Sequence, residues 1–191
     1  MKKPDKKDDI LQSALKLLAE QGFHGAPMAQ IAELAGVGTG TIYRYFKNRE
    51  VLILAVHQMI YGEMMAFLLD GFPKDQPLRE CFFHIGHRII DFFIQNPLEF
   101  QYNEQFINSP YGNEMRRNEL GKTGDQYNLF QELYKKGLAD QIVKIVPVTV
   151  FLDLAFAPIA WAVRDHHLGF VTLDKTISDT IVSACWDCIK L

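Results

Sequence analysis

The chain has 191 residues, enough for one sizeable core or two small ones, and 48% of them are hydrophobic, as in a folded globular protein. The formal net charge is −3, and the three cysteines, Cys81, Cys185 and Cys188, are too few for a disulfide framework. No uninterrupted apolar run reaches about 18 residues, and the charged opening Met1-Lys2-Lys3-Pro4 is followed by no apolar segment, so neither a membrane span nor a signal peptide is expected and a cytoplasmic location is the simplest reading.

Strand signals are weak everywhere and helical periodicity is strong, which predicts an all-α fold of about nine helices. The first, over 8–21, carries Ile10, Leu11, Ala14, Leu15, Leu17 and Leu18 at helical spacing. The second, over 28–35, places Ile31, Leu34 and Ala35 on one apolar face. Gly36-Val37-Gly38 breaks it, and Thr39 is positioned to cap a third helix over 39–46 with Ile42 and Phe46 on its inner side. Such a run also suits an ordinary packed hairpin. Two short helices joined by a glycine turn equally form a helix-turn-helix, whose second helix enters the DNA major groove. Here that helix would turn Thr39, Thr41, Tyr43, Arg44 and Tyr45 outward or sideways. Hydroxyls and phenols bond phosphates, and arginine pairs bidentately with guanine. The candidate DNA-binding residues are Lys6, Gln30, Thr39, Gly40, Thr41, Tyr43, Arg44, Tyr45 and Lys47, and the partner expected is double-stranded operator DNA.

The neighbouring sequence favours the second interpretation. The order Ala14, Gly22-Phe23, Ile31-Ala32, Ala35-Gly36-Val37, Gly40-Thr41-Ile42-Tyr43-Arg44-Tyr45-Phe46-Lys47-Asn48-Arg49-Glu50 and Leu52 resembles the N-terminal domain of the TetR/AcrR family of bacterial transcriptional regulators, over about residues 8–60. One departure is Ala26-Pro27-Met28, where the family usually has a small hydroxyl residue; Pro27 still suits the first turn of a helix. The resemblance implies a helix-turn-helix DNA-binding domain at 1–50, with its motif at about 28–47, joined by a long helix to a ligand-binding and dimerisation bundle at 51–191. Charge divides the same way. Residues 1–50 hold eight Lys/Arg against six Asp/Glu, and residues 51–191 hold twelve against seventeen, so the acidic remainder helps orient the molecule on DNA.

Further along, a fourth helix is expected over 48–70, a turn-rich loop at Gly71–Pro77, and a fifth helix over 78–95. Asn96-Pro97 opens a sixth, and Ser109-Pro110-Tyr111-Gly112 punctuates again before a polar stretch, 113–124, that is helical at its start. Helices then follow over 125–136, 148–168 and 173–189, with Gly137 and Gly169 where C-terminal caps belong and Pro158 inside the penultimate helix, where it should kink the chain.

Residues 78–161 are rich in aromatics. Most are expected to fill the core. Phe92, Tyr127, Phe156 and Trp161, from three helices, are candidates to line a mostly apolar pocket with a few polar anchors. Glu104 or Asp153 would add a preference for cations if either faced it, and would otherwise be a solvated carboxylate. The family resemblance implies an inducer there, a small lipophilic or aromatic molecule. The last two helices are apolar over more than one face, which suggests burial against a second copy. Phe151 and Trp186 are the interface candidates, and the resemblance implies a homodimer joined through four helices.

Cys185-Trp186-Asp187-Cys188 has the spacing of a redox pair, but its helical flanks favour buried structural thiols. His84 with His87, and His166 with His167, lack the further ligands of a metal site. No catalytic residue, cofactor or metal is expected. The sequence thus reads as a non-enzymatic dimeric repressor, released from its operator by a small hydrophobic or aromatic molecule. The alternative is a helical ligand-binding or thiol-redox enzyme with an incidental helix-turn-helix.

Overall fold

The computed structural model describes the backbone of residues 6–120 and 129–191, and side chains in the first stretch as far as 118. Tyr127, expected in the pocket, lies outside the described residues, as does the predicted start of the helix at 125. The described chain is all helical: α1 Lys6–Gly25, α2 Met28–Leu34, α3 Thr39–Tyr45, α4 Arg49–Leu69, α5 Leu78–Gln95, α6 Pro97–Ile107, α7 Pro110–Leu120, α8 Leu129–Ala139, α9 Val148–His167 and α10 Lys175–Ile189. It divides into two compact units, Met1–Glu63 with Asn96–Thr123 and Met64–Gln95 with Gly124–Leu191. The units therefore part inside α4, further along than residue 50, and α6 and α7 group with the N-terminal helices.

In the first unit the periodic face of α1 is the core: Ile10, Leu11, Ala14, Leu15, Leu17 and Leu18 are all buried. Gly22, at φ 77, interrupts α1 and sends its last residues in a new direction. α6 packs along α1, and Gln105 Nε2 donates to the Ala19 carbonyl at 2.7 Å. The α4 stripe of Leu52, Ile53, Val56 and Ile60 is buried, and the buried Tyr102 hydroxyl donates to the Ile53 carbonyl at 2.6 Å. Rings of Phe23, Tyr102, Phe106 and Tyr111 cluster around this bond. His57 joins them, stacked on Phe106 with centroids 4.0 Å apart and planes 11° apart.

The Ser109–Gly112 punctuation proves to be the tight start of α7. Ser109 Oγ donates to the Phe106 carbonyl at 2.7 Å and accepts from Gly112 N at 3.1 Å. A Cβ on Gly112 would lie 2.1 Å from the Phe106 carbonyl oxygen, so only glycine fits.

In the second unit α5 packs on α8, α9 and α10. The C-terminal end of α4 is held by side chains of α5. Arg88 donates from Nε and Nη2 to the Phe67 carbonyl at 2.9 and 2.6 Å, with its guanidinium 3.6 Å from the Phe67 ring centre. His84 Nε2 lies 2.9 Å from the Leu68 carbonyl. Free carbonyls at a helix end need such partners. Val143 and Lys190 form an antiparallel bridge, with Lys144 N donating to Ile189 O and Leu191 N to Ile142 O.

Gly169 takes the left-handed φ expected after a helix end. Gly137 does not. It lies inside α8, where a Cβ would come within 2.7 Å of the Val143 side chain, so its role is close packing rather than capping. By length and composition α4 is also the one described helix apolar enough to cross a membrane, yet its apolar stripe in the first unit is core.

Candidate nucleic-acid interface

α2 is seated by Met28, Ile31 and Ala32, all buried. Leu34, expected on that inner face, is 47% exposed: Met28, Ile31 and Ala32 share one face of the helix, and Leu34 lies about 100° round from its centre. Pro27 precedes the helix at φ −66 with no side-chain cap. α2 ends where Gly36 turns left-handed at φ 64, with Val37 N donating to Ala32 O at 2.9 Å. This is the position at which a side chain would be strained.

Gly38 rather than Thr39 is the N-cap of α3, extended at φ −70 and ψ 150; its carbonyl accepts from Thr41 N at 2.7 Å and Ile42 N at 3.4 Å. Thr39 is the first helical residue. α3 is then fixed by two buried side chains one turn apart, Ile42 and Phe46. Asn48 follows and caps α4, its Oδ1 accepting from Val51 N at 2.9 Å. The sequence reading missed this cap, although an asparagine just before a helix is the usual signal.

The remaining side chains of α3 are available. Thr39, Gly40, Tyr43, Arg44 and Tyr45 are exposed and Thr41 is half-buried; Gln30 on α2, Lys47 after α3 and Lys6 at the start of α1 are exposed too. The Arg44 guanidinium sits 5.4 Å from the Tyr45 ring centre, close enough for cation–π attraction. Exposed phenols and an arginine on a short helix held from behind have little to do for the fold, and hydroxyl, phenol and guanidinium are the groups that read duplex DNA.

In α4, Nε and Nη2 of Arg49 and Nδ1 of His57 are buried without a hydrogen-bond partner. Burial holds the His57 imidazole at a pKa of about 4, against the usual 6.5.

The structure distributes the other candidates differently. Phe92 is buried in the second unit beside Phe67 and Phe93, and Phe156 stacks with Phe82 and packs edge-on to Phe130. Trp161 is 62% exposed, under the Arg164 guanidinium, so it lines no interior pocket. Glu104 lies on α6 in the first unit, and the exposed Asp153 on the outer side of α9.

Phe151 and Trp186, expected at an interface between copies, are 1% and 7% exposed within the protomer itself. Phe151 packs on Tyr134, and Trp186 on Phe82. The apolar side chains that α9 and α10 leave uncovered are Val150, Leu154, Trp161, Leu168 and Ile177. Of the two thiols expected to be buried, Cys185 is, and its pKa is pushed up to about 11 by burial; Cys188 is exposed. A protonated, enclosed thiol is a poor nucleophile. The histidines serve packing: His87 pairs with Asp179 at 3.1 Å, His166 Nδ1 accepts from Leu173 N, and His167 Nε2 lies 2.9 Å from Phe93 O.

Comparison with known proteins agrees with this arrangement. Residues 10–56 match the family of bacterial regulatory proteins of the tetR type, and residues 77–190 match the tetracyclin repressor-like C-terminal domain. An HTH-type transcriptional regulator from Haemophilus influenzae, itself uncharacterized, is 29% identical over 108 residues, 56% of this chain and 58% of that protein, so the chain spans little more than half the length of that relative. The structure of a TetR family protein from Vibrio parahaemolyticus is 28% identical, covers 98% of this chain and all of its own, and superposes with a TM-score of 0.80. FadR from Bacillus subtilis, solved in complex with stearoyl-CoA, shares the fold at 19% identity and a TM-score of 0.76, over 95% of this chain and 98% of its own. With a helix-turn-helix at 28–45 and family matches over most of its length, this chain belongs to the TetR family of bacterial regulatory proteins.

Proposed function

We propose that this protein is a homodimeric transcriptional repressor that leaves its operator when a small lipophilic molecule binds the C-terminal bundle. The observation that carries the DNA-binding part is the construction of α3. Ile42 and Phe46 hold it from one side, and Thr39, Tyr43, Arg44 and Tyr45 stand exposed on the others. A second copy would cover the apolar stripe of α9, whose residues 150, 154, 157 and 161 recur at alternating four- and three-residue steps and so share one face. The aromatic interior around Phe92 and Phe156 is the region offered to the ligand, and the stearoyl-CoA complex of FadR supports a long apolar ligand class. Such a ligand induces only by binding the DNA-free state better than the DNA-bound state.

Selection of bound duplexes from a random pool, at a stated salt concentration, tests the reading. A single, near-palindromic sequence should be enriched. Arg44→Ala should bind that sequence roughly fivefold to a hundredfold more weakly, since a good bidentate pair with guanine is worth about 1–3 kcal/mol. Unchanged affinity of Arg44→Ala would remove α3 as the reading element. A thermal-shift screen with acyl-CoA thioesters, followed by release of the selected duplex, tests the ligand class.

A further inference from the structure

Most described glycines have a reason inside the chain. Gly22, Gly36, Gly71 and Gly169 hold φ values between 64° and 77°, which side chains rarely adopt. At Gly25, Gly86, Gly112 and Gly137 an added Cβ would come to 3.0 Å or nearer to a neighbouring atom. Gly38 is the N-cap of α3, a position where glycine is among the favoured residues. Two remain, Gly40 and Gly62. Each lies inside a helix with an ordinary φ, and nothing stands within 4 Å of the Cβ it lacks. Alanine in either place would favour the helix, so the fold gains nothing from glycine there.

The two differ in their surroundings. Gly62 lies on an exposed side of α4. Gly40 lies between Thr39 and Thr41, one turn before Tyr43 and Arg44, on the exposed surface of α3. We infer that Gly40 is reserved for the partner: its bare Cα is the point at which α3 comes closest to the base-pair edges of the operator, where a methyl group would not fit. This rests on the DNA-binding reading above. N-terminal residues of a recognition helix are those that meet base edges. A methyl at this point would hold the helix off the groove by about 1 Å. Hydrogen bonds from neighbouring side chains would then stretch from about 2.9 Å to beyond about 3.6 Å, where they no longer count as bonds. Gly40 thus positions Thr41, Tyr43 and Arg44 by leaving open the space that a Cβ would fill.

The test uses the full-length protein, the duplex that the wild type selects from a random pool, and an unrelated duplex of equal length. Gly40→Ala and Gly62→Ala are compared for melting temperature and for affinity to both duplexes. Gly40→Ala should melt no lower than the wild type, bind the selected duplex at least roughly tenfold more weakly, and keep its affinity for the unrelated one. Gly62→Ala should melt no lower and bind as the wild type does. Gly40→Ser repeats the steric test with a residue that forms helix less well. Binding of the selected duplex by Gly40→Ala within about twofold of the wild type overturns the inference. So does an equal loss on both duplexes, an equal loss in Gly62→Ala, or a lowered melting temperature of Gly40→Ala. Those results leave the DNA-binding reading standing. Failure of the wild type to enrich any duplex would instead refute that reading, and this inference with it.

Discussion

His57 should make the first unit lose stability in mild acid. Its ring is enclosed by stacking on Phe106, and its buried Nδ1 has no hydrogen-bond partner. Burial lowers its pKa from 6.5 to about 4. In the unfolded chain it takes up a proton as the pH falls through 6.5, whereas the folded unit resists until about 4. Between those values the unfolded state binds more protons, so stability falls with falling pH. One pKa unit corresponds to about 1.4 kcal/mol, so the whole window amounts to roughly 3 kcal/mol, lost progressively below pH 6.5 and no further below about 4.

The matched perturbation is His57→Phe. It keeps an aromatic ring on Phe106, removes the titrating nitrogen, and removes a buried unpaired ring nitrogen, so it should be at least as stable as the wild type above pH 6.5. Trp161 and Trp186 both lie in the second unit, so tryptophan fluorescence does not follow the first. Hydrogen exchange over Ile53–Ile60 and Phe100–Phe106, read against pH, does. The Glu63 carboxyl, raised by its own burial and by nearby Glu99, titrates in the same region with the opposite sign, and the comparison of variant with wild type cancels it. Equal pH slopes in the two proteins would refute the argument that His57 is folded in as the neutral base.

Two further outcomes follow from burial and contact. Trp161→Asp should abolish self-association with little change in far-ultraviolet circular dichroism, because Trp161 is exposed in the protomer; sedimentation at micromolar concentration reads this, and a variant that remains dimeric would remove α9 from the interface. Gly112→Ala should destabilise the first unit by about 1–3 kcal/mol or more, because its Cβ meets the backbone of Phe106, which has little room to yield; urea unfolding followed by hydrogen exchange in α6 measures it, and wild-type stability would contradict the tight α6–α7 turn.

The legible parts of this molecule are those decided by local chain geometry. The Gly36 turn, the two anchors Ile42 and Phe46, and the open side of α3 depend on residues within about one or two helical turns, so periodicity and a left-handed glycine reveal them. The place of α6 was not legible. Its membership in the first unit rests on contacts such as Tyr102 with Ile53 and Gln105 with Ala19, whose partners lie 49 and 86 residues away. No local pattern records such a distance. The same holds for Asn48: its type signals a cap, but only the start of α4 at Arg49 shows which amide it meets.

The penultimate helix shows most clearly why sequence alone misassigned a surface. α9 carries two apolar stripes. Phe151, Ala155, Ile159 and Val163 recur every four residues and are buried. Val150, Leu154, Ala157 and Trp161 run beside them and are exposed. Hydrophobicity alone ranks Phe151 and Trp161 alike, and the sequence reading sent each to the other's place. What separates them is the neighbouring chain. Tyr134 lies against Phe151, and the Tyr134 hydroxyl donates to the Val146 carbonyl just before α9 begins, fixing which stripe turns inward. Once that stripe is committed to the protomer, the other is left as a large apolar face with an arginine laid over its tryptophan. An exposed patch of that kind favours a partner. The homodimer proposed above would cover it with one symmetric contact, burying the stripe on both copies at once.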